Sequence, residues 1–475
     1  MVSSKMFKMG FGETKTEIHV DQLPIQGKIP QWLQGTLIRN GPGTFQIGDE
    51  GYRHWFDGLA MLHKFTFNNG SIAYTNKFLD TNSYREAKKK GKIAYSEFAT
   101  DPSWTLINRI QNLFSPMITD SAKVNVAKMG DLYMALAETP IQILFDPQSL
   151  NTTGTFTYED RLVGQMTTVH PHIDKANHLA YNLVTHFHRI SHYNLYVLKN
   201  GRNPKQIASL PVKKPAYMHS FGMSENYIIL AEFPLVVNSL SLLLWLKPYI
   251  ENYQWKPQNG TQFTIINKHT GEIEGRYEFD PFFAFHHINA FEQGNEIIVD
   301  MAAYPDAGII ESFYLQSLKN PDTKLPFGLL KRFRIPLKGK NITSEILSDA
   351  CIELPVIDTP EQTNPAAYRY VYADSVNPED RTGFYNQLVK VDIKGEKHSS
   401  WYNSGSYPGE PVFVGRPGRQ QEDDGVILSV VLDENSTNPF LLILDAGSFT
   451  EIARAEIPQS ILFGYHGAFF NIGMD

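Results

Sequence analysis

Apolar and polar positions alternate over much of this chain in short runs separated by turns rich in Asn, Asp, Lys and Gly, a period of two that predicts half-buried β-strands. A run–turn–run unit that reads as a β-hairpin recurs seven times. The instances are KFTFNNGSIAYTNKF from Lys64, ILFDPQSLNTTGTF from Ile143, LYVLKNGRNPKQIASL from Leu195, FTIINKHTGEIEGRYEF from Phe263, FRIPLKGKNITSEIL from Phe333, LVKVDIKGEKHSSWY from Leu388 and LLILDAGSFTEIARAEI from Leu441. Further strand signals such as NYIILAEF, NEIIVDMAAY, YRYVYA and GVILSVVLDE bring each unit to about four strands. Four-stranded sheets repeated radially make a β-propeller, which leaves only short, protected edges. The predicted fold is therefore all-β: a seven-bladed propeller in a single domain spanning 1–475, with the first 20 residues as a flexible tail. Two or three stacked β-sandwiches would give the same strand signals, but no Pro/Ser-rich or charged linker interrupts the chain.

Two segments break the pattern. Residues 104–118 (WTLINRIQNLFSPMI) place Trp104, Ile107, Ile110, Leu113, Phe114 and Met117 at helical spacing, and 233–250 (FPLVVNSLSLLLWLKPYI) is Leu-rich with aromatic and Lys ends. Both are expected as insertions in a cap over the top face of the propeller, either packed on the core or lying peripherally on a membrane. Neither is a membrane span, because Pro234, Asn238, Lys247 and Pro248 interrupt the more apolar one.

Composition narrows the class. Hydrophobic residues make up 42% of the 475, enough for a large core. The net charge of -7 lacks the basic excess that nucleic-acid binding relies on. The single cysteine, Cys351, excludes an intramolecular disulfide and a thiolate metal site and fits a reducing compartment. The opening MVSSKMFKMGFGETK has no apolar signal-peptide core, so a cytoplasmic protein is expected. No protein partner is implied.

The fifteen histidines fall into two groups. His54, His63 and the HFHRISH run around His186 sit in polar or turn-like text, and for that run surface histidines are the simpler explanation. His170, His219, His286 and His466 instead sit beside apolar residues at strand ends. They are dispersed along the chain, as ligands contributed by different blades to a propeller axis would be. Neutral imidazoles suit iron, copper or zinc better than calcium or magnesium, although a single strand-end histidine is more often hydrogen-bonded core. Glu138, Glu353 and Glu410 lie in apolar text. Each could orient a metal-bound histidine, close a salt bridge or cap, or serve in a glycosidase-like acid/base pair.

The runs GTLIRNGPGTF (Gly35), HWFDGLAMLHKF (His54), HPHID (His170), HSFG (His219), FHHINAFE (Phe285), YPGEPVFV (Tyr407), EDDGVILSVV (Glu422) and YHG (Tyr465) resemble, in order, the carotenoid cleavage dioxygenase family, with wording closest to its animal-type branch. The resemblance implies a seven-bladed propeller with one Fe(II) per chain, held by His170, His219, His286 and His466, with O2 as co-substrate. His172 and His287 are set aside as the second histidines of their motifs. It also implies that Glu138, Glu353 and Glu410 orient His219, His286 and His466 respectively, and that His170 has no such partner. The implied reaction splits a C=C bond of a carotenoid or apocarotenal into two carbonyls, with 15,15′ cleavage to retinal expected first and 13′,14′ or 9,10 cleavage as alternatives. Phe98, Val124, Ala137, Tyr217, Leu354 and Tyr465 are the expected contacts of the apolar polyene substrate.

Lignostilbene-type cleavage, which needs a phenol-activating Tyr/Lys pair that the motifs do not supply, ester isomerisation and a non-catalytic lipid-binding propeller are the other readings. The animal branch's lipidated Pro-Asp-Pro-Cys-Lys motif is replaced here by TDPSW, so no lipid anchor is expected there. With no plastid extension, a microbial enzyme is expected.

Overall fold

The computed structural model describes residues 3–14, 16–103, 119–156, 163–243, 247–320, 323–339, 341–359, 368–381, 383–436 and 438–471. Seven antiparallel sheets of at least four strands are arranged in chain order. In each, one of the seven hairpins anticipated from alternation forms the third and fourth strands from the axis. Leu59–Asn68 with Ser71–Phe78 is the first such pair and Phe440–Asp445 with Thr450–Glu456 the last.

Residues on or beside the innermost strands of all seven sheets line one axial channel, among them Val126, Asp174, Phe221, His287, Val356, Phe413 and Ala468. The ring is closed from both ends of the chain. Gly467–Phe470 pairs with Gly35–Thr44 as the innermost strand of the first sheet, and Ile25–Gly27 pairs with Thr450–Glu456 as the outermost strand of the last. The expected seven-bladed propeller is therefore the observed one.

The described residues among the first 20 do not form a loose tail. Ser4–Gly10 is a helix whose first turn is capped by the Ser3 side chain, and Met6 and Phe11 are buried. Phe11 packs against Phe45, Phe384 and Phe463 at ring separations of 5.7, 5.6 and 5.3 Å. His19–Val20 then pairs with Ser71–Phe78. The apolar Met6, Phe7 and Phe11 have surface to hide, and the propeller's aromatic face supplies the partner.

Above that face lies a cap of short elements. Asn82–Lys90 is a helix with Thr81 as N-cap, a left-handed Gly91 at its end and the Asp120 carboxylate accepting from the Asn82 and Ser83 N–H groups. The 233–250 stretch is not one apolar helix but a strand, Leu235–Val237, paired with Tyr253–Trp255 and followed by a short helix, Ser239–Leu243. Phe233, Leu235, Val237, Leu242 and Ile250 are in the core, whereas Leu240 is 57% exposed. Most of the described apolar side chains in this segment therefore serve packing. The 104–118 segment lies outside the described residues. Among those described, no helix is long and apolar enough to cross a membrane.

Candidate metal centre and cavity

Every sheet contributes one side chain to a cluster at the axis. His466 immediately precedes the innermost strand of the first sheet, and Glu138 follows the second strand, Leu132–Leu136, of the second. His170 lies in the break between Met166–Thr167 and His172–Asp174, and His219 lies shortly before Gly222–Met223. His286 immediately precedes His287–Gln293, Glu353 opens Glu353–Val356, and Glu410 lies between Ser406–Pro408 and Val412–Gly415. Each is at or beyond the end of a ladder, where the backbone no longer forces strict alternation and a side chain can turn toward the axis.

The four histidines offer ligand nitrogens that all lie within 4.8 Å of one another. The Nε2 atoms of His170 and His219 are 3.3 Å apart, as are those of His286 and His466. The opposite ring nitrogen of three of them is tied to a carboxylate. Nδ1 of His219 meets Glu138 at 2.8 Å, Nδ1 of His466 meets Glu410 at 2.6 Å, and Nδ1 of His286 meets Glu353. A carboxylate accepts only, so each Nδ1 carries the proton and each Nε2 presents a lone pair to the centre. No described residue accepts from Nδ1 of His170.

Burial favours the neutral form of three of these rings. It pushes His466 down to about 4 and lowers His219, while His170 is lowered further still by burial and by the other three histidines. His172 and His287 point elsewhere: Nε2 of His172 bonds the Phe221 carbonyl at 2.8 Å, and Nδ1 of His287 bonds Ser220 Oγ at 2.8 Å.

The three carboxylates are themselves held from behind, by Tyr217, expected instead as a substrate contact, and by Tyr304 and Arg39, which the sequence reading did not single out. The Tyr217 hydroxyl donates to Glu138 at 2.6 Å, the Tyr304 hydroxyl donates to Glu353, and the buried Arg39 guanidinium donates to Glu410 and, at 2.8 Å, to the Tyr465 carbonyl. Burial alone would raise Glu353 and Glu410. The His286 and Tyr304 contacts on the one, and His466 and Arg39 on the other, outweigh burial and keep both below the usual glutamate value. Leu354 has a φ of 48°, a left-handed backbone rare for a branched residue, which turns its N–H onto Glu353 Oε1 at 3.0 Å.

On the cap side of the histidines lies a largely apolar cavity. His219, His286 and His466 border it, together with Trp55, Phe285 and Phe313. Of the six expected substrate contacts, Phe98, Val124, Ala137, Leu354 and Tyr465 line it. Tyr217 does not: it is 1% exposed and its hydroxyl is spent on Glu138, so it sits behind the ligand and not beside the substrate space. Phe187, from the HFHRISH run, reaches the wall while His188 beside it is exposed.

His54 and His63, unlike that run, are buried. His54 Nε2 donates to the Ile310 carbonyl at 2.9 Å, Nδ1 accepts from the Phe56 N–H at 3.0 Å, and the ring packs 5.0 Å from that of Phe98. Only the neutral ring satisfies that pair of contacts. Burial pushes both His54 and His63 down to about 3.

In the unfolded chain these histidines titrate near 6.5, so below that pH the unfolded state gains protons that the native state refuses. Stability is expected to fall on acidification from pH 7 to 5, by about 2 kcal/mol for each of the two rings. Denaturant titration across that range checks this, and proton uptake on unfolding at pH 5 should drop by about one in His63→Gln. A flat profile would refute it.

A seven-bladed propeller with four imidazoles on its axis, three of them anchored to carboxylates, and an apolar cavity beside them defines a class of protein able to hold a metal ion next to space for an apolar molecule. The chain matches the family model of the retinal pigment epithelial membrane protein over residues 11–471. It is 35% identical to carotenoid cleavage dioxygenase 8, chloroplastic, of Arabidopsis thaliana, covering 94% of this chain and 83% of that protein. It is 32% identical to β,β-carotene 15,15′-dioxygenase of Rattus norvegicus, covering 97% and 91%. Cobalt-substituted apocarotenoid oxygenase of Synechocystis superposes with a TM-score of 0.88 at 28% identity, covering 98% of each chain. This chain belongs to the carotenoid cleavage dioxygenase family and is an enzyme of that kind.

Proposed function

We propose that this enzyme is an Fe(II)-dependent dioxygenase that cleaves one C=C bond of a carotenoid or apocarotenal into two carbonyl products, at the central 15,15′ bond to give retinal. The observation that carries the reading is the convergence of four imidazole ligand nitrogens, three of them from rings that border an apolar cavity. The donor set fits divalent iron: four nitrogens of intermediate softness, without a charged ligand, leave the ion its full positive charge. His170, His219, His286 and His466 would hold it, and bound iron supplies the activation of O2. Glu138, Glu353 and Glu410 fix the tautomers of three ligands and raise their basicity. Phe98, Val124, Leu354, Phe285 and Phe313 exclude water and present an apolar wall along which a polyene is aligned. We place the enzyme in the cytoplasm, drawing its substrate from a membrane surface near Leu240.

The test is incubation with Fe(II) under nitrogen, then air, with β-carotene and a series of β-apocarotenals, followed by chromatography and mass analysis. Retinal formed only with both iron and O2 is the expected result. Absence of any aldehyde from every polyene, with about one iron bound per chain, would overturn the reading.

A further inference from the structure

The cavity wall carries a charged pair that polyene cleavage by itself does not call on. Lys123 donates to Glu97, both side chains are at most 5% exposed, and both line the cavity. Such a pair is costly to bury, and a well-packed apolar pair of similar volume would often be as stable or more so. A wall built only to hold hydrocarbon has no use for it.

The hydrogen bonding around the pair specifies what it can accept. The Thr119 hydroxyl donates to Glu97 at 2.7 Å, that of Thr139 to the Thr119 carbonyl at 3.0 Å, that of Ser121 to the Gly58 carbonyl at 2.9 Å and that of Ser96 to Asp101 at 2.8 Å. These four hydroxyls line the same cavity, and every hydroxyl hydrogen among them is committed to the protein. Lys123 has three N–H donors, and among the described residues one partner, Glu97. Gln165 also borders the cavity, its amide oxygen accepting from the Phe187 N–H at 2.8 Å. Beside Glu97 and the four hydroxyls the remaining donors are the ammonium's, and they suit a group that only accepts.

Buried Asp57 stands behind, held by Thr100 at 2.6 Å and by the Ala99 N–H at 2.9 Å. Burial pushes Glu97 up to about 7 against the pull of Lys123, so the pair is not a fully compensated one.

We propose that Lys123, positioned by Glu97 and Thr119, receives the carbonyl oxygen of a polyene aldehyde, which makes the carbonyl-ended apocarotenoids the preferred substrate class over hydrocarbon carotenes. This rests on the cleavage reading for its consequence in turnover, but not for binding.

Binding is measured first, on metal-free protein under nitrogen, by titrating a β-apocarotenal and the hydrocarbon of the same skeleton. The aldehyde binds more tightly, and its absorption moves to longer wavelength as its oxygen accepts from the cation. In Lys123→Met the shift disappears and the aldehyde Kd rises about 10- to 100-fold, the range of a hydrogen bond to a charged group. Lys123→Arg restores part of both.

In the iron-loaded enzyme the ratio of kcat/KM for aldehyde over hydrocarbon falls by a similar factor in Lys123→Met, through KM and not kcat. An unshifted spectrum with wild-type affinities within twofold for the two ligands overturns the assignment, and needs no variant to fold. Failure of iron-loaded protein to cleave either ligand would overturn the cleavage reading while leaving the binding result to stand or fall separately.

Discussion

His286→Ala is expected to reduce polyene cleavage to background and bound metal from about one per chain to a small fraction of that, read by metal analysis beside product chromatography. Three histidines would remain, but the loss reaches beyond one ligand. His286 Nδ1 is the partner of Glu353, which is 3% exposed and also takes the Tyr304 hydroxyl and the Leu354 N–H. Without the imidazole that carboxylate is left buried with one donor fewer, so it takes up a proton or draws in water. Glu353→Gln is the milder control: it removes the charge but keeps the shape, and about 10- to 100-fold in metal affinity or rate is expected to go. Full metal content and full turnover in His286→Ala would sink the four-histidine centre.

Arg39→Met is expected to cost the fold about 3–5 kcal/mol in denaturant unfolding, the range for removing one partner of a buried ion pair. Arg39 bridges two parts of the site, donating to Glu410 from one arm and to the Tyr465 carbonyl from the other, with both side chains of the pair 6% exposed. Glu410 also accepts from the Gly467 N–H at 2.9 Å, in the strand that closes the ring. Arg39 therefore ties the first sheet to the last exactly where His466 must be presented. Metal affinity should fall along with stability, because Glu410 loses the charge that keeps it ionised against His466. Arg39→Lys keeps the charge but lacks the fork that spans both acceptors, and is expected to recover stability only in part. A variant as stable as wild type would show that the bridge does not close the propeller.

Much of this was legible beforehand because it is local. The seven hairpins are patterns of period two with turn residues between them, and such patterns depend on neighbours in sequence. His170, His219, His286 and His466, with Glu138, Glu353 and Glu410, were readable through motif resemblance, and the structure brings all seven to one point. Residues whose meaning is a long-range partner were missed. Arg39 was visible within GTLIRNGPGTF only as a charge in an apolar run, and its partner lies 371 positions away. Tyr304 reaches Glu353 across sheets, and Lys123 and Glu97 looked like ordinary polar residues flanking the segment 104–118. Tyr217 was assigned to the right cluster but to the wrong side of its histidine. Standing two positions from His219, between named strands, does not say which of the two reaches the cavity, and a hydroxyl next to a carboxylate away from water is drawn to it. Met6 and Phe11 were read as tail because a short amphipathic helix has no stability of its own and gains it only from a docking face.

By itself the sequence determined the repeat that makes blades and the exclusion of thiolate chemistry, since each follows from residue type and short-range spacing, while the histidine set came from motifs that resemble a known family. Tertiary structure alone decided that one side chain from each sheet meets at the axis, that Arg39 and Tyr304 hold the carboxylates, and that Lys123 and Glu97 pair in the wall of the cavity. Those features exist only after the ring closes, because burial strengthens each interaction and places together residues that the chain holds hundreds of positions apart.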